Sequence, residues 1–391
     1  MAKQLENVVV VAYGRSAVGR SGKKGALRQA DPIDMAGQIL QGVLKKVPEL
    51  PLEMIEDVIV GCALPEAKQG LNPGKLIASR AGLPKCVPGM TVNRFCSSGL
   101  QTVAIAAAQI ECGMNEVLVA GGFESMSALP MTIDRSADWS PWIVANDPDQ
   151  YIPNGITAEN VAKRYNVTRE EMDVFAYESH MKAAAAQDAG KFDREIIPLP
   201  GVDEAGNPIV FDKDQGIRRT TSMESLAQLK PCFVENGTVT AATSSQTSDG
   251  AGFVVLMSEK KAAELGIKPI AKFRGFAVAG CDAAYMGLGP IYAVPKVMDL
   301  TGLSVQDMDV IELNEAFAAQ ALPCIKELGM DPAKVNPNGG AIALGHPLGA
   351  TGAILTCKAL DELERIGGKY ALVTMCIGGG MGAAGIYELI P

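Results

Sequence analysis

The sequence predicts a layered α/β protein built from two similar halves, and three observations predict it. Strand and helix signals alternate through the first third of the chain. The same alternation returns in the last third. The chain is also long enough, at 391 residues with 48% hydrophobic and 20% charged, to bury a large core.

Taken in order, the apolar run 8–12 reads as a buried strand, and 32–47 has helical apolar spacing. Residues 58–60 form a second strand, 72–81 a helix, and 91–92 a short strand leading into the Ala-rich helix 97–111. The strand 116–120 closes this segment. Strands alternating with helices argue for a parallel sheet covered on both faces. In the last segment Asp57-Val58-Ile59 recurs as Asp309-Val310-Ile311, the small-residue helix 97–111 as 349–363, and the strand 116–120 as 370–376. That repetition of pattern reads as an internal duplication. Between the halves, residues 123–248 form a long excursion, rich in Pro, Asp and Asn near 136–154 and helical at 168–190. Such excursions often carry binding function.

Composition excludes several classes. Lys+Arg 35 against Asp+Glu 44 gives a net charge of −9, so no broad positive field awaits a nucleic-acid backbone. An anionic ligand would have to be met by a local basic patch. The start, polar over residues 1–6, does not read as a signal peptide, and no apolar stretch reaches the ~20 residues of a membrane helix. The last residues, Glu388-Leu389-Ile390-Pro391, form no retention or peroxisomal address. Nine cysteines with no CxxC spacing, and only two histidines, argue for reduced thiols and against a structural metal site. The expected location is cytoplasmic.

Four stretches carry chemistry. Cys96, in Asn93-Arg94-Phe95-Cys96-Ser97-Ser98-Gly99-Leu100, sits where a strand meets a helix N-terminus. The dipole there is expected to lower the thiol pKa, and the free N–H groups can hold an oxyanion. His346 lies in the uncharged, glycine-dense run Gly339-Gly340-Ala341-Ile342-Ala343-Leu344-Gly345-His346 and is the candidate base. The other histidine, His180, lies beside Ser179 and Lys182 and reads as part of a solvated helix face. Cys376, before Gly378-Gly379-Gly380, reads as a thiol held by a glycine turn at a sheet edge. The formal Gly380-x-Gly382-x-x-Gly385 fingerprint is rejected, because no room remains for a dinucleotide-binding crossover. Asn314, in Asn314-Glu315-Ala316-Phe317-Ala318, could orient a water or a histidine, although Asn at a helix start is usually an N-cap.

Together these stretches resemble the thiolase family across essentially the whole chain. Gly121-Gly122-Phe123-Glu124-Ser125-Met126, Thr157-Ala158-Glu159-Asn160, Gly237-Thr238-Val239-Thr240-Ala241, Ser248-Asp249-Gly250-Ala251 and Met286-Gly287-Leu288-Gly289-Pro290 add to the resemblance in order. It implies a thiolase fold with duplicated βαβαβ halves in a five-layer α-β-α-β-α arrangement and an inserted loop domain. Residues 1–122, completed by about 249–270, would form one half and 271–391 the other. Residues 123–248 would be the loop domain for CoA, substrate and oligomer contacts.

The resemblance also implies roles. Cys96 would be the acylated nucleophile, His346 its activator, Cys376 the acid/base at the α-carbon, and Asn314 the holder of a water. The N–H groups of Cys96 and Gly378 would form an oxyanion hole. Arg218, Ser225 and Ser245 would contact CoA, helped by the charges of Arg219 and Lys230, and Met286 and Phe317 would line the acyl pocket. No metal or bound cofactor is implied, with coenzyme A acting as co-substrate. The implied reaction is thiolysis of a 3-ketoacyl-CoA, or its Claisen reverse, by a homodimer or homotetramer, with a possible beta-oxidation partner subunit.

The run from Asp214-Gln215-Gly216-Ile217-Arg218 to Leu229-Lys230-Pro231 resembles degradative thiolases more than acetoacetyl-CoA thiolases, which stay as the alternative. Ketosynthases, a Cys-His-Asn hydrolase and a non-catalytic acyl or lipid carrier fit less of the pattern. Where many short-chain thiolases have His-Met-Gly, this chain reads Pro153-Asn154-Gly155. The stretch 127–150 is also shorter than the tetramerising loop of biosynthetic thiolases.

Overall fold

The computed structural model describes residues 6–131 and 133–391, so all but the last residue of the polar N-terminal stretch lies outside the described residues. Strand β1 (Val8–Arg15) leads through the two-residue β2 (Gly19–Arg20) to helix α1 (Pro32–Leu44). That helix starts where Asp31 accepts the N–H groups of Ile33 and Asp34 and Pro32 takes the first helical position. Then follow β3 (Asp57–Gly61), α2 (Pro73–Arg80), β4 (Met90–Val92), α3 (Ser98–Glu111) and β5 (Val117–Ser125).

The excursion holds α4 (Pro141–Asn146), α5 (Asn154–Tyr165), α6 (Arg169–Asp188), a hairpin of β6 (Leu199–Val202) with β7 (Pro208–Phe211), and α7 (Met223–Ala227). Thr168 and Glu171 close a capping box at the start of α6. Strand β8 (Ser248–Ser258) then re-enters the sheet, followed by α8 (Glu259–Leu265), β9 (Ala271–Gly280) and α9 (Gly289–Thr301). The chain ends through β10 (Val310–Leu313), α10 (Ala318–Glu327), α11 (Ala341–Leu344), α12 (Thr351–Ile366), β11 (Tyr370–Ile377) and β12 (Met381–Leu389).

The strands run in the order β10-β11-β12-β9-β1-β8-β5-β3-β4, with β2 beside β8. Only two residue pairs, Val9 with Lys272 and Val10 with Ala271, join β1 to β9. The sheet is therefore two half-sheets with a short seam. It is mixed, which corrects the parallel expectation. β3 pairs in parallel with β4 and β5, and β10 with β11. β11 and β12 are joined by a three-residue turn, which forces an antiparallel pair, and β8 returns antiparallel to both β1 and β5.

Side-chain alternation sorts the layers. In β1, β3 and β5, Val9, Val11, Val58, Val60, Val117 and Val119 face one way and pack on α1 and α2. Val8, Val10, Ile59, Leu118 and Ala120 face the other way, into a core shared with Leu100 and Val103 of α3 and Leu355 and Leu360 of α12. Val373 and Met375 of β11 enter that same core, while Leu372 faces Val294 and Val297 of α9 and Ala321 of α10. A period of two with both faces buried explains why these strands read as unbroken apolar runs. The sequence of layers is helices α1 and α2, a half-sheet, helices α3 and α12, the other half-sheet, and helices α9 and α10.

The middle layer is thin because its residues are small. A Cβ on Gly352 would collide with the backbone N of Leu100, and one on Gly122 would collide with the carbonyl oxygen of Gly349. The helix carrying Cys96 at its start thus docks directly on the helix that follows His346.

Candidate active site

Cys96 sits in a single 3-10 turn, Phe95–Ser97, immediately before α3, and is 5% exposed. Local side chains tie the turn. Asn93 Oδ1 accepts the Phe95 N–H at 2.8 Å, and Ser98 Oγ accepts the Arg94 N–H at 2.9 Å and donates to the Phe95 carbonyl at 2.7 Å. Phe95 itself is held at φ 42°, a left-handed conformation that a bulky residue adopts only when its surroundings impose it.

Burial pushes the Cys96 thiol up to about 11, against the pull of the N–H groups of Gly378 and of Cys96 itself. The expected lowering by the helix terminus is therefore overturned: desolvation disfavours the thiolate more than these donors favour it.

Cys376 lies near the end of β11, opposite Gly382 of β12, and is fully buried. The pairing of β10 with β11 ends at Leu313 and Thr374, so Cys376 lies past it, at the end of the sheet beside the glycine turn. Burial first, and then the charge of Cys96, raise its pKa well above the usual thiol value. The two thiols therefore share one electrostatic environment. Cys376 packs in one apolar cluster with Met286, Phe317 and Ala316.

His346 follows Gly345, whose φ of 115° and ψ of 167° only glycine adopts readily. Its N–H donates to the Gln246 carbonyl at 3.0 Å, which fixes the loop beside β8. The ring is 5% exposed. Nδ1 lies 2.6 Å from Thr351 Oγ1, and that hydroxyl donates to the Pro347 carbonyl at 3.2 Å. With the threonine proton so engaged, Nδ1 carries the ring proton and Nε2 keeps its lone pair. Nε2 faces Asn314 Nδ2 at 3.4 Å. Burial lowers the ring pKa to about 4, so the imidazole is neutral at pH 7.

Asn314 follows β10, and its N–H donates to the Thr374 carbonyl of β11 at 3.0 Å. It is not a helix cap, because α10 begins only at Ala318. Its Oδ1 is buried without a hydrogen-bond partner among the described residues, an acceptor that suits a bound water.

Two carboxylates to which sequence reasoning assigned no role hold this frame. Glu315 accepts Ser179 Oγ at 2.7 Å, Asn336 Nδ2 at 2.8 Å and the Ile342 N–H at 3.2 Å, tying the loop before His346 to α6. Glu124, at the end of β5, accepts the N–H groups of Ala63 at 2.8 Å and Gly349 at 2.9 Å and the Gln69 amide at 2.8 Å. Their signal was an acid within an otherwise apolar or small-residue motif. Thr351, five residues after His346, was missed as well.

The CoA candidates are more dispersed. Arg218 is exposed on the loop before α7, Ser225 is exposed inside α7, and Ser245 is half-buried with its N–H on the Ala316 carbonyl at 2.9 Å. The charge of Arg219 is paired with Asp188 at 2.6 Å, which leaves less free positive charge than the sequence suggested. His180 is buried, 2% exposed, and its Nδ1 accepts the Arg218 N–H at 3.2 Å. The solvated-face reading is thus corrected: the Arg218 loop covers that side of α6. Among the described residues, no group of three or more His, Cys, Asp or Glu side chains could hold a metal ion, and no helix is long and apolar enough to cross a membrane.

Comparison with known proteins gives concordant matches along the chain. Residues 8–260 match the thiolase N-terminal domain and residues 267–389 the thiolase C-terminal domain. A 3-ketoacyl-CoA thiolase of Bacillus subtilis (strain 168) is 47% identical over 98% of this chain and 100% of its own length. An acetyl-CoA acetyltransferase of Allochromatium vinosum is 44% identical over 97% of this chain and 98% of its own. The crystal structure of the Bacillus anthracis acetyl-CoA acetyltransferase superposes with a TM-score of 0.92 at 40% identity, covering 100% of both chains. The chain belongs to the thiolase family and is an acyltransferase.

Proposed function

We propose that this thiolase-family enzyme cleaves 3-ketoacyl-CoA with coenzyme A, giving acetyl-CoA and an acyl-CoA two carbons shorter. One observation carries the reading. The turn 95–97 that carries Cys96 packs against both β11, which carries the buried thiol of Cys376, and the turn 348–350 that follows His346.

In this reading neutral His346 takes the Cys96 proton at Nε2, and the sulfur attacks the 3-keto carbon. The C2–C3 bond breaks, leaving the acyl group on Cys96 and an acetyl-CoA enolate. Cys376 is kept protonated by burial, so it can give the enolate carbon its proton. The Cys376 thiolate then takes the proton of the CoA thiol, whose sulfur attacks the acyl carbon, and the His346 proton returns to Cys96. The N–H groups of Cys96 and Gly378 would hold the acyl oxygen, while His346 and a water on Asn314 would hold the enolate oxygen. Arg218, Ser225 and Ser245 would engage CoA, the co-substrate, and Met286 and Phe317 the acyl chain.

The domain reading stands as part of this proposal: residues 1–122 with about 249–270, the loop domain 123–248, and 271–391. Its support is the return of β8 between β1 and β5. A homodimer or homotetramer fits the three-residue strand β4, which ends the sheet unpaired on one side beside exposed Phe95. We place the protein in the cytoplasm, in fatty-acid beta-oxidation, where a partner subunit is possible.

A second reading, condensation of two acetyl-CoA, is favoured by the acetyltransferase names among the relatives. CoA-dependent loss of acetoacetyl-CoA and of a long-chain 3-ketoacyl-CoA, measured side by side with Cys96→Ala as blank, separates the two. Turnover of the long substrate supports the first reading. Activity confined to acetoacetyl-CoA moves the assignment to the second, and activity with neither overturns both.

A further inference from the structure

The tripeptide Pro153-Asn154-Gly155, where the chain departs from the pattern of short-chain relatives, opens helix α5 against the glycine turn. A Cβ on Gly378 would stand 3.6 Å from Asn154 Oδ1 and 3.9 Å from its Nδ2. Gln150, in the 3-10 turn 148–151 that precedes α5, would have its Oε1 3.5 Å from a Cβ on Gly379. Asn154 is half-buried, and only its backbone carbonyl is engaged, by the Thr157 hydroxyl at 2.7 Å. Its side-chain amide makes no hydrogen bond to another described residue.

The face of α5 to which Asn154 belongs is defined by its successors. Ala158 and Ala162, four and eight positions on, pack in the same cluster as Cys376, Met286 and Phe317. Residues at this spacing share one side of a helix. Asn154 is therefore the polar end of an otherwise apolar stripe over the reacting groups, and its free amide borders the Gly378 backbone.

We infer that Asn154 is a further catalytic residue: its side-chain N–H donates to the substrate oxygen that the Gly378 N–H also holds. The inference rests on the reading of Gly378 as an oxyanion donor. Rotation of the amide exchanges its oxygen and nitrogen, so either can be turned to the turn. An amide brings a positive dipole end to a developing oxyanion and does not titrate. A carboxylate of the same shape would bring a full negative charge to the same place.

That contrast supplies the test. Asn154 is the first residue of α5, where an acidic side chain favours the helix dipole and alanine does not. A merely structural role therefore predicts that Asn154→Asp performs at least as well as Asn154→Ala. The proposal predicts the opposite order in acyl transfer. Asn154→Ala should lower kcat about tenfold, below the ~10²–10³ of a fully buried oxyanion donor because the site is half open. Asn154→Asp should be slower still, and its Cys96 should be alkylated more slowly by iodoacetamide, since the added charge disfavours the thiolate. Both variants should keep the wild-type unfolding temperature within a few degrees. Asn154→Ala within twofold of wild type, or Asn154→Asp equal to or faster than Asn154→Ala, overturns the proposal. Inactive wild-type protein would instead sink the thiolase reading on which it rests.

Discussion

Replacing Gly122 by alanine tests whether the thin middle layer sets the catalytic geometry. A Cβ at this position would meet the carbonyl oxygen of Gly349, with the Gly349 carbon and Ala350 Cα directly behind it. None of these is a side chain that can swing aside. Restoring ordinary contact requires β5 and the start of α12 to part by about 1 Å, in an interior packed to near-crystalline density. Overpacking of this kind costs about 1–3 kcal/mol, or a few degrees in unfolding temperature for a chain of this size. The displacement falls three residues after His346 and breaks the 2.9 Å bond from Gly349 to Glu124. A shift of ~1 Å in a positioning element can cost ~10²-fold in rate. We therefore expect kcat for acetoacetyl-CoA thiolysis to fall about 100-fold, with KM changed far less. The assay is steady-state thiolysis beside thermal unfolding of the same preparation. A kcat within threefold of wild type, with an unchanged melting temperature, would refute the reasoning.

Two further predictions concern buried charge. His180 and His346 both titrate near 4 in the folded protein because burial disfavours the imidazolium. Unfolded, each binds its proton below about 6.5, so stability is full above that pH and falls as pH drops toward 4. His180→Asn keeps an acceptor for the Arg218 N–H and should lose about 2–3 kcal/mol less than wild type between pH 7 and 4.5 by denaturant titration; an equal loss contradicts this. Arg15 is wholly buried between Glu195 and Asp214, each at 2.7 Å. Arg15→Met leaves Asp214 and Glu195 buried without their cation and should cost about 3–5 kcal/mol at pH 7. An unchanged melting temperature would show that the pair contributes nothing.

Much of the site was legible because its chemistry is written in short motifs. Cys96 before a run of small residues, His346 after glycines and Cys376 before three more each announce a backbone that must approach something closely. The strands of the two half-sheets were legible as apolar runs, since both of their faces are buried. What failed depended on distant chain. His180 sits among polar neighbours on α6, and the loop bearing Arg218, far along the sequence, closes on its ring. The helix-terminal argument for Cys96 was sound locally, but desolvation by β11 and the 346–350 segment outweighs it. The antiparallel course of β8 is set by the return of the long excursion, which no local pattern encodes. Glu124 and Glu315 were visible as acids in apolar surroundings, yet their partners lie between 21 and 225 residues away along the chain.

The central claim is that Cys96 carries the acyl group and Cys376 moves the proton. Brief incubation with acetoacetyl-CoA, acid quenching and peptide mass analysis tests it directly. The account predicts one acetyl group on the peptide containing Cys96, discharged by added CoA. It also predicts that Cys376→Ala still takes up acetyl from acetyl-CoA, more slowly because no thiol protonates the departing CoA, but no longer exchanges its α-protons with solvent. Acetyl found on Cys376, or turnover with no acyl group on Cys96, would contradict it.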